Sequence, residues 1–222
     1  MRLLDRAVVS VLPLPTLDDA RRTVAALARE GKLATIDVLG EEVRQPAEAH
    51  AIAAAYHDVL AALDEDGREP NVSVKLTALG LKLDIGLCRE LTEGIVRDAA
   101  ARGGFVRIDM EDSSCTDDTL ALYRELRVAG LDRVGIVLQA VLRRTLGDVA
   151  ALADLAPNVR ICKGIYVEPA AIAFRDPDIV RRSFLAVLEA LLGAGGYVAI
   201  ATHDEVLLGE SLARVAALSR AA

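Results

Sequence analysis

The chain of 222 residues has no tryptophan, three phenylalanines and four tyrosines. Aromatic packing cannot dominate its interior, which must be built from alanine, leucine, valine and isoleucine. The apolar content of 53% suffices for one sizeable core, or at most two small ones. Cysteine is as scarce. Cys88, Cys115 and Cys162 are odd in number and form no C-x-x-C pair, which argues against a disulfide framework or a zinc site and fits free thiols in a reducing compartment. No metal is expected. Positive charge is not in excess either: the formal charge is −7 and no basic stripe interleaves with aromatics, so nucleic acid is not an expected partner. Long apolar runs are missing. The longest uncharged stretch, 190–203, is too short to span a bilayer and is broken by "GAGG". The opening "MRLLDRAVVS" carries charge but no extended apolar region or A-x-A site, so no signal peptide is read there. The expectation is a soluble cytoplasmic protein.

What the chain does have is a repeating pattern. Short runs rich in valine and isoleucine read as strands: "ATIDVLG" (34–40), "NVSVKL" (71–76), "GFVRIDM" (104–110), "RVGIVLQ" (133–139), "NVRICK" (158–163) and "GYVAIAT" (196–202). Most are nearly continuous apolar runs, as parallel strands covered by helices require. Helical patterns lie between them. Thr16 and Asp19 predict a capping box for a first helix at about 16–31, which Gly31 can close. Pro46 opens a second helix, whose apolar face carries Ile52, Tyr56, Val59, Leu60 and Leu63. Further helices are predicted over 87–100, 117–130, 145–156, 178–193 and 206–220. No linker divides the chain, so 1–222 reads as a single domain.

Alternation of this kind means parallel α/β architecture, either a doubly wound open sheet or a (β/α)8 barrel. The first βα turn, "DVLGEEV", lacks the G-x-G-x-x-G of a dinucleotide fold. Polar residues stand instead at the end of nearly every strand: Asp37, Lys75, Asp109, Gln139, Arg160 with Lys163, and Thr202 with His203. That spread favours the barrel, which gathers functional groups at the C-terminal ends of its strands, over an open sheet with one crevice. Six strands fall short of the eight in a closed barrel. The expected fold is a (β/α)8-type barrel truncated to about six βα units, whose open strand edges invite self-association.

Each polar residue alone has an ordinary structural reading. Asp112 or Ser114 can cap a helix, Asp204 after His203 another, His50 and His57 can be surface or packing residues, and Cys162 a small core residue. Together the strand-end set suits an anionic substrate and a phosphate-bearing cofactor. Two enzyme chemistries fit. Lys75 or Lys163 could form a Schiff base with a carbonyl substrate, as in lyases of the aldolase type. Alternatively the cations position an electron-poor cofactor and an anionic substrate for hydride transfer. A third reading is a non-catalytic barrel fragment that needs a partner.

Six segments, in order and one per predicted strand, resemble the flavin-dependent proline dehydrogenase family: "DVLGE" (37–41), "VSVKLTALG" (72–80), "RIDMED" (107–112), "GIVLQAVLRRT" (135–145), "VRICKGIYVEP" (159–169) and "ATHDE" (201–205). The resemblance implies a distorted (β/α)8 barrel that oxidises L-proline to Δ1-pyrroline-5-carboxylate by hydride transfer to FAD. It implies that Lys75 meets the substrate carboxylate and that Asp109 is the active-site aspartate. Arg160 is implied to bond the flavin N5 region and Gln139 the flavin ring, Lys163 and Gly164 are implied to contact the rest of the cofactor, and Thr202 and His203 match the family's sixth-strand flavin contacts. Tyr166 matches a tyrosine that lines the family's substrate pocket, Ile165 stands at a position in that pocket's wall, and Glu41 matches an acid that pairs with a gating arginine. A quinone-type electron acceptor follows, with at most peripheral membrane contact. The sequence departs from the family at Ile165, where alanine is usual and three extra carbons would narrow a packed site, and at Val141, where tyrosine is common. No Tyr-x-x-Arg-Arg segment follows "ATHDE"; Arg214 and Arg220 stand isolated.

Overall fold

In the computed structural model, which describes residues 16–221, the strands expected from the sequence alternate with helices throughout. In chain order the elements are α1 (Leu17–Arg29), β1 (Ile36–Asp37), α2 (Pro46–Glu65), β2 (Asn71–Val74), α3 (Ile85–Ala101), β3 (Phe105–Ile108), α4 (Thr116–Val128), β4 (Val134–Gln139), α5 (Thr145–Leu152), β5 (Val159–Cys162), α6 (Pro177–Gly193), β6 (Val198–Ala201) and α7 (Glu205–Ala221). The start "MRLLDRAVVS" and the Arg220 side chain lie outside what is described. The chain divides into two compact units: one runs through Arg107 and adds Leu131–Val134, the other holds Ile108–Gly130 and Gly135–Ala222.

The first unit orders β1, β2 and β3 side by side. β1 and β2 are parallel, with Ile36 opposite Val72 and Asp37 opposite Ser73. Its interior is aliphatic, as the composition required. Ala49, Ala53, Tyr56, Leu60 and Leu63 form the inner stripe of α2 at helical spacing and are buried, as are Val72, Val74, Ile95 and Val96. Ile52, expected on that stripe, is only half-buried. Local chemistry sets the helix ends. The Thr16 hydroxyl accepts the Asp19 N–H at 3.2 Å and donates to the Asp19 carboxylate at 2.6 Å, so the expected box is a side-chain pair. At the other end of α1, Lys32 N–H donates to the Leu27 carbonyl and Gly31 N–H to Ala28, both at 3.0 Å, the Schellman arrangement that Gly31 permits at φ 73°. α2 has the reciprocal capping box, between Gln45 and Glu48.

The second unit orders β4, β5 and β6, parallel throughout. β4 is buried along its whole length, and Leu122 and Tyr123 of α4 and Phe184, Val187 and Leu188 of α6 are buried as well. β5 alternates: Val159 and Ile161 are fully buried, whereas Arg160 and Cys162 on the opposite face are half-buried. Period-two alternation thus puts the Arg160 cation on the side away from the aliphatic layer. Gly196, two residues before β6, meets backbone: a Cβ there would lie 2.0 Å from the Pro157 carbonyl oxygen, so no other residue fits.

The strands are shorter than the apolar runs suggested. β1 has two residues, and the chain leaves the ladder at Val38 before the exposed Leu39. After β2, Lys75 begins a 3-10 turn, Leu76–Leu79, closed by Gly80 at φ 93°, so 71–76 is not one strand. The helix expected over 145–156 splits into α5 and a 3-10 turn at Ala153–Leu155. Among the described residues no helix is long and apolar enough to cross a membrane.

Candidate active site

In the first unit, the register that sets Asp37 opposite Ser73 brings Lys75 off the same strand ends. Lys75 Nζ donates to Asp37 Oδ2 at 2.6 Å and lies 3.8 Å from Glu41 Oε1. The lysine side chain is only 18% exposed, so its charge needs this pairing. The other carboxylate oxygen, Asp37 Oδ1, is 3.0 Å from the Tyr56 hydroxyl. That hydroxyl donates to the Ser73 carbonyl at 2.7 Å or turns to Asp37, and it accepts the Val38 N–H at 3.3 Å. Tyr56 sits on the apolar stripe of α2 as expected; its polar end, buried against β1 and β2, was not legible. The next loop is held by Glu42, whose N–H donates to the Thr77 hydroxyl at 3.2 Å and whose carboxylate takes Lys82 at 2.8 Å.

In the second unit, the Arg160 guanidinium pairs with Asp109, the residue after β3. Both side chains are about a quarter exposed, at 26% and 23%. Gln139, at the end of β4, is buried; its Nε2 donates to the Glu111 carbonyl at 2.8 Å, and its own carbonyl accepts the Thr145 hydroxyl at 2.6 Å. The ladder continues past β5, since Ala140 N–H donates to Cys162 and Val141 N–H to Lys163, both at 2.8 Å. Gly164 follows at φ 103°, and a Cβ there would fall 2.6 Å from Val141 Cγ1 and 2.8 Å from Gln139 Oε1. Glycine lets the backbone lie directly over the amide.

One carboxylate organises the neighbouring cleft. Asp204 Oδ2 accepts from Lys163 Nζ at 3.1 Å and from Arg181 Nε at 2.9 Å, while Oδ1 accepts the Leu207 N–H at 3.3 Å. The Arg181 hydrogen bond above all, then Lys163 and the Leu207 N–H, hold the Asp204 pKa at about 2. Because the folded value lies below the ordinary one, Asp204 stabilises the fold above the unfolded pKa near 4, and this contribution disappears as pH falls through about 2. Asp204→Asn is therefore expected to flatten the acid limb of a Tm-versus-pH curve in that window; an acid limb identical to the parent's would refute the assignment. The cleft of about 700 Å3 is lined by Lys163, Gly164, Ile165, Thr202, His203 and Asp204, among others. Thr202 Oγ1 accepts the Asp204 N–H at 3.1 Å, and His203 is exposed.

The remaining expected site residues lie on the segment after β5. Ile165 is 88% exposed, so it meets no packed wall here, and Tyr166 beside it is half-buried. Glu168, which sequence reasoning passed over, is buried and anchors this segment: its two oxygens accept the Ser113 N–H and hydroxyl, each at 2.7 Å. Burial pushes the Cys162 thiol up to about 11, so it stays protonated at neutral pH; it lines the cleft and is only half-buried. His57, away from these groups, is paired with Asp98 at 2.7 Å.

The proline dehydrogenase family model matches residues 20–171. The proline dehydrogenase of Deinococcus radiodurans is 37% identical over 201 residues, covering 88% of this chain and 64% of its own length. Proline dehydrogenase 1 of Bacillus subtilis is 36% identical over 193 residues, covering 87% and 64%. The chain thus spans a little under two thirds of the length of these relatives. Among solved structures, proline utilization A from Bdellovibrio bacteriovorus, inactivated by N-propargylglycine, aligns with a TM-score of 0.84 at 22% identity, over 92% of this chain and 26% of that one. A mutant of proline utilization A from Bradyrhizobium japonicum aligns with a TM-score of 0.72 at 21% identity, over 80% and 22%. The structural likeness gives the fold, parallel α/β of the barrel type, and the matching sequence gives the lineage: the chain belongs to the proline dehydrogenase family.

Proposed function

We propose that this chain carries the FAD-dependent oxidation of L-proline to Δ1-pyrroline-5-carboxylate, and that 1–222 is one partial barrel domain. The observation that carries the reading is the layout of the second unit. A carboxylate-paired arginine in mid-strand, a buried glutamine fixed at both ends and a glycine without room for a side chain lead into a cleft with lysine, threonine and histidine on its wall. The donor set suits the group: Lys163 and Arg181 supply cations, Thr202 and His203 neutral polar atoms, and about 700 Å3 is within the range of cofactor sites. When bound, FAD supplies the acceptor for a hydride from the ring carbon next to the proline nitrogen.

The chain's own residues then have distinct tasks. Arg160 fixes a positive charge where negative charge develops, held by Asp109 so that it need not reorganise. Gln139, Lys163, Gly164, Thr202 and His203 hold the cofactor. Lys75 binds the proline carboxylate, Asp109 faces the reacting ring, and Tyr166 and Ile165 border it. Glu41 serves as the outer acid beside Lys75. The electron acceptor is of the quinone class, reached from the cytoplasm with at most peripheral membrane contact. Self-association through an open strand edge belongs to the same reading.

The Schiff-base alternative is not favoured. It needs a neutral amine, and both Lys75 and Lys163 are ion-paired with carboxylates. The test is reconstitution with FAD followed by proline-dependent dye reduction. Flavin absorbance with proline-driven turnover is expected. Failure to retain any flavin would overturn the proposal, and borohydride trapping of a carbonyl adduct on either lysine would replace it.

A further inference from the structure

We infer that Tyr56 is a positioning residue for Lys75, acting through Asp37. The hydroxyl has one hydrogen and two strong acceptors, the Ser73 carbonyl at 2.7 Å and Asp37 Oδ1 at 3.0 Å, with the Val38 carbonyl at the limit of reach at 3.5 Å. Its ring is fully buried on α2, so the oxygen cannot move away, but the O–H can rotate. The other oxygen of the same carboxylate holds Lys75 Nζ at 2.6 Å. Asp37 therefore has a rigid donor on one oxygen and a long, flexible cation on the other.

This arrangement sets how firmly Lys75 is held. A donor on a carboxylate stabilises its charged form and weakens its demand for a second partner. When an incoming anion draws Lys75 away, the Tyr56 O–H turns from the Ser73 carbonyl to Asp37 and compensates the carboxylate left behind. Without the hydroxyl, Asp37 loses this donor and releases Lys75 less readily. The consequence for substrate rests on the function proposed above, in which Lys75 receives the proline carboxylate; the geometry of the triad does not.

The experiment is trace acetylation of the full chain, read lysine by lysine by mass spectrometry, in the parent and in Tyr56→Phe. It requires neither FAD nor proline. Phenylalanine keeps the ring packing and removes only the hydroxyl. Lys75 is expected to lose about threefold in reactivity, the lower end of the net worth of one ordinary hydrogen bond, while Lys82 and Lys163 stay at parent values. Unchanged Lys75 reactivity, or a rise shared with Lys82 that signals loosening of the whole unit, would overturn the inference. Should Tyr56→Phe not fold, 3-fluorotyrosine at position 56 keeps the hydroxyl and makes it a stronger donor; Lys75 reactivity must then rise, and a fall or no change refutes the role. With FAD present, Tyr56→Phe is expected to raise KM for proline severalfold at unchanged kcat. A parent protein that does not oxidise proline but shows the labelling response would remove the proposed activity and leave the triad standing.

Discussion

Arg160→Met is expected to lower proline-dependent turnover of the FAD-loaded protein by about 10²–10³-fold, the usual loss when one preorganised electrostatic donor is deleted. Methionine matches much of the arginine stem in length, and the β5 backbone around it is fixed by parallel ladders on both sides, Val137 and Ala199 standing opposite position 160. The loss should therefore appear in kcat. Stability should fall by less than the roughly 3–5 kcal/mol of a fully buried pair, since Asp109, left without the guanidinium, is 23% exposed and can take up water. Arg160→Lys should recover part of the activity, since it restores charge without the planar fork. The measurement is steady-state dye reduction normalised to bound flavin, alongside a melting curve. Turnover within tenfold of the parent at equal flavin content would show that the cation at position 160 has no electrostatic part in the reaction.

Gly164→Ala is expected to be the most damaging one-carbon change at the candidate site. Two costs combine. At φ 103° an alanine is strained by about 1–3 kcal/mol. The new methyl also overlaps Val141 Cγ1 at 2.6 Å and Gln139 Oε1 at 2.8 Å, and overpacking of this kind costs roughly another 1–3 kcal/mol. For a chain of this size that corresponds to a Tm lowered by about 4–24 °C. The clash also pushes on Gln139, whose amide is pinned to the Glu111 carbonyl at 2.8 Å, so flavin content should fall together with Tm. Gly94→Ala is the control. It lies within α3, a Cβ there would meet nothing within 4 Å, and alanine should raise helix stability by about 0.5–1 kcal/mol. Equal melting temperatures for the two variants would mean that the backbone over Gln139 does not need glycine.

The alternation of strand and helix was legible because valine and isoleucine runs and capping residues are local signals. Arg160, Lys163 and Gln139 could be picked out because a polar residue at the end of an aliphatic strand conflicts with its surroundings. Strand length was not legible: whether 34–40 stays in the ladder depends on neighbouring backbone, and only Ile36 and Asp37 do. The partners of the site residues were hidden as well. Tyr56 fits an apolar stripe, and nothing local says that its hydroxyl meets Asp37, 19 residues earlier. Arg181 reaches Asp204 across 23 residues, and Ser113 reaches Glu168 across 55. Such pairs form only when helices and strand-end segments far apart in the chain come together. The Ile165 substitution was visible, but its exposure of 88% was not, because crowding is a property of the folded neighbourhood.

The scarcity of aromatics gives the molecule its own optical labels. With no tryptophan to collect excitation energy, near-ultraviolet absorbance and emission of the apoprotein come from four tyrosines. Two of them, Tyr56 and Tyr123, are wholly buried, and one belongs to each compact unit. Tyr197 is 59% exposed and registers solvent from the outset. Second-derivative absorbance of the parent and of Tyr123→Phe would thus separate the opening of one unit from that of the other without any attached dye, and time-resolved nitration would give the same order chemically.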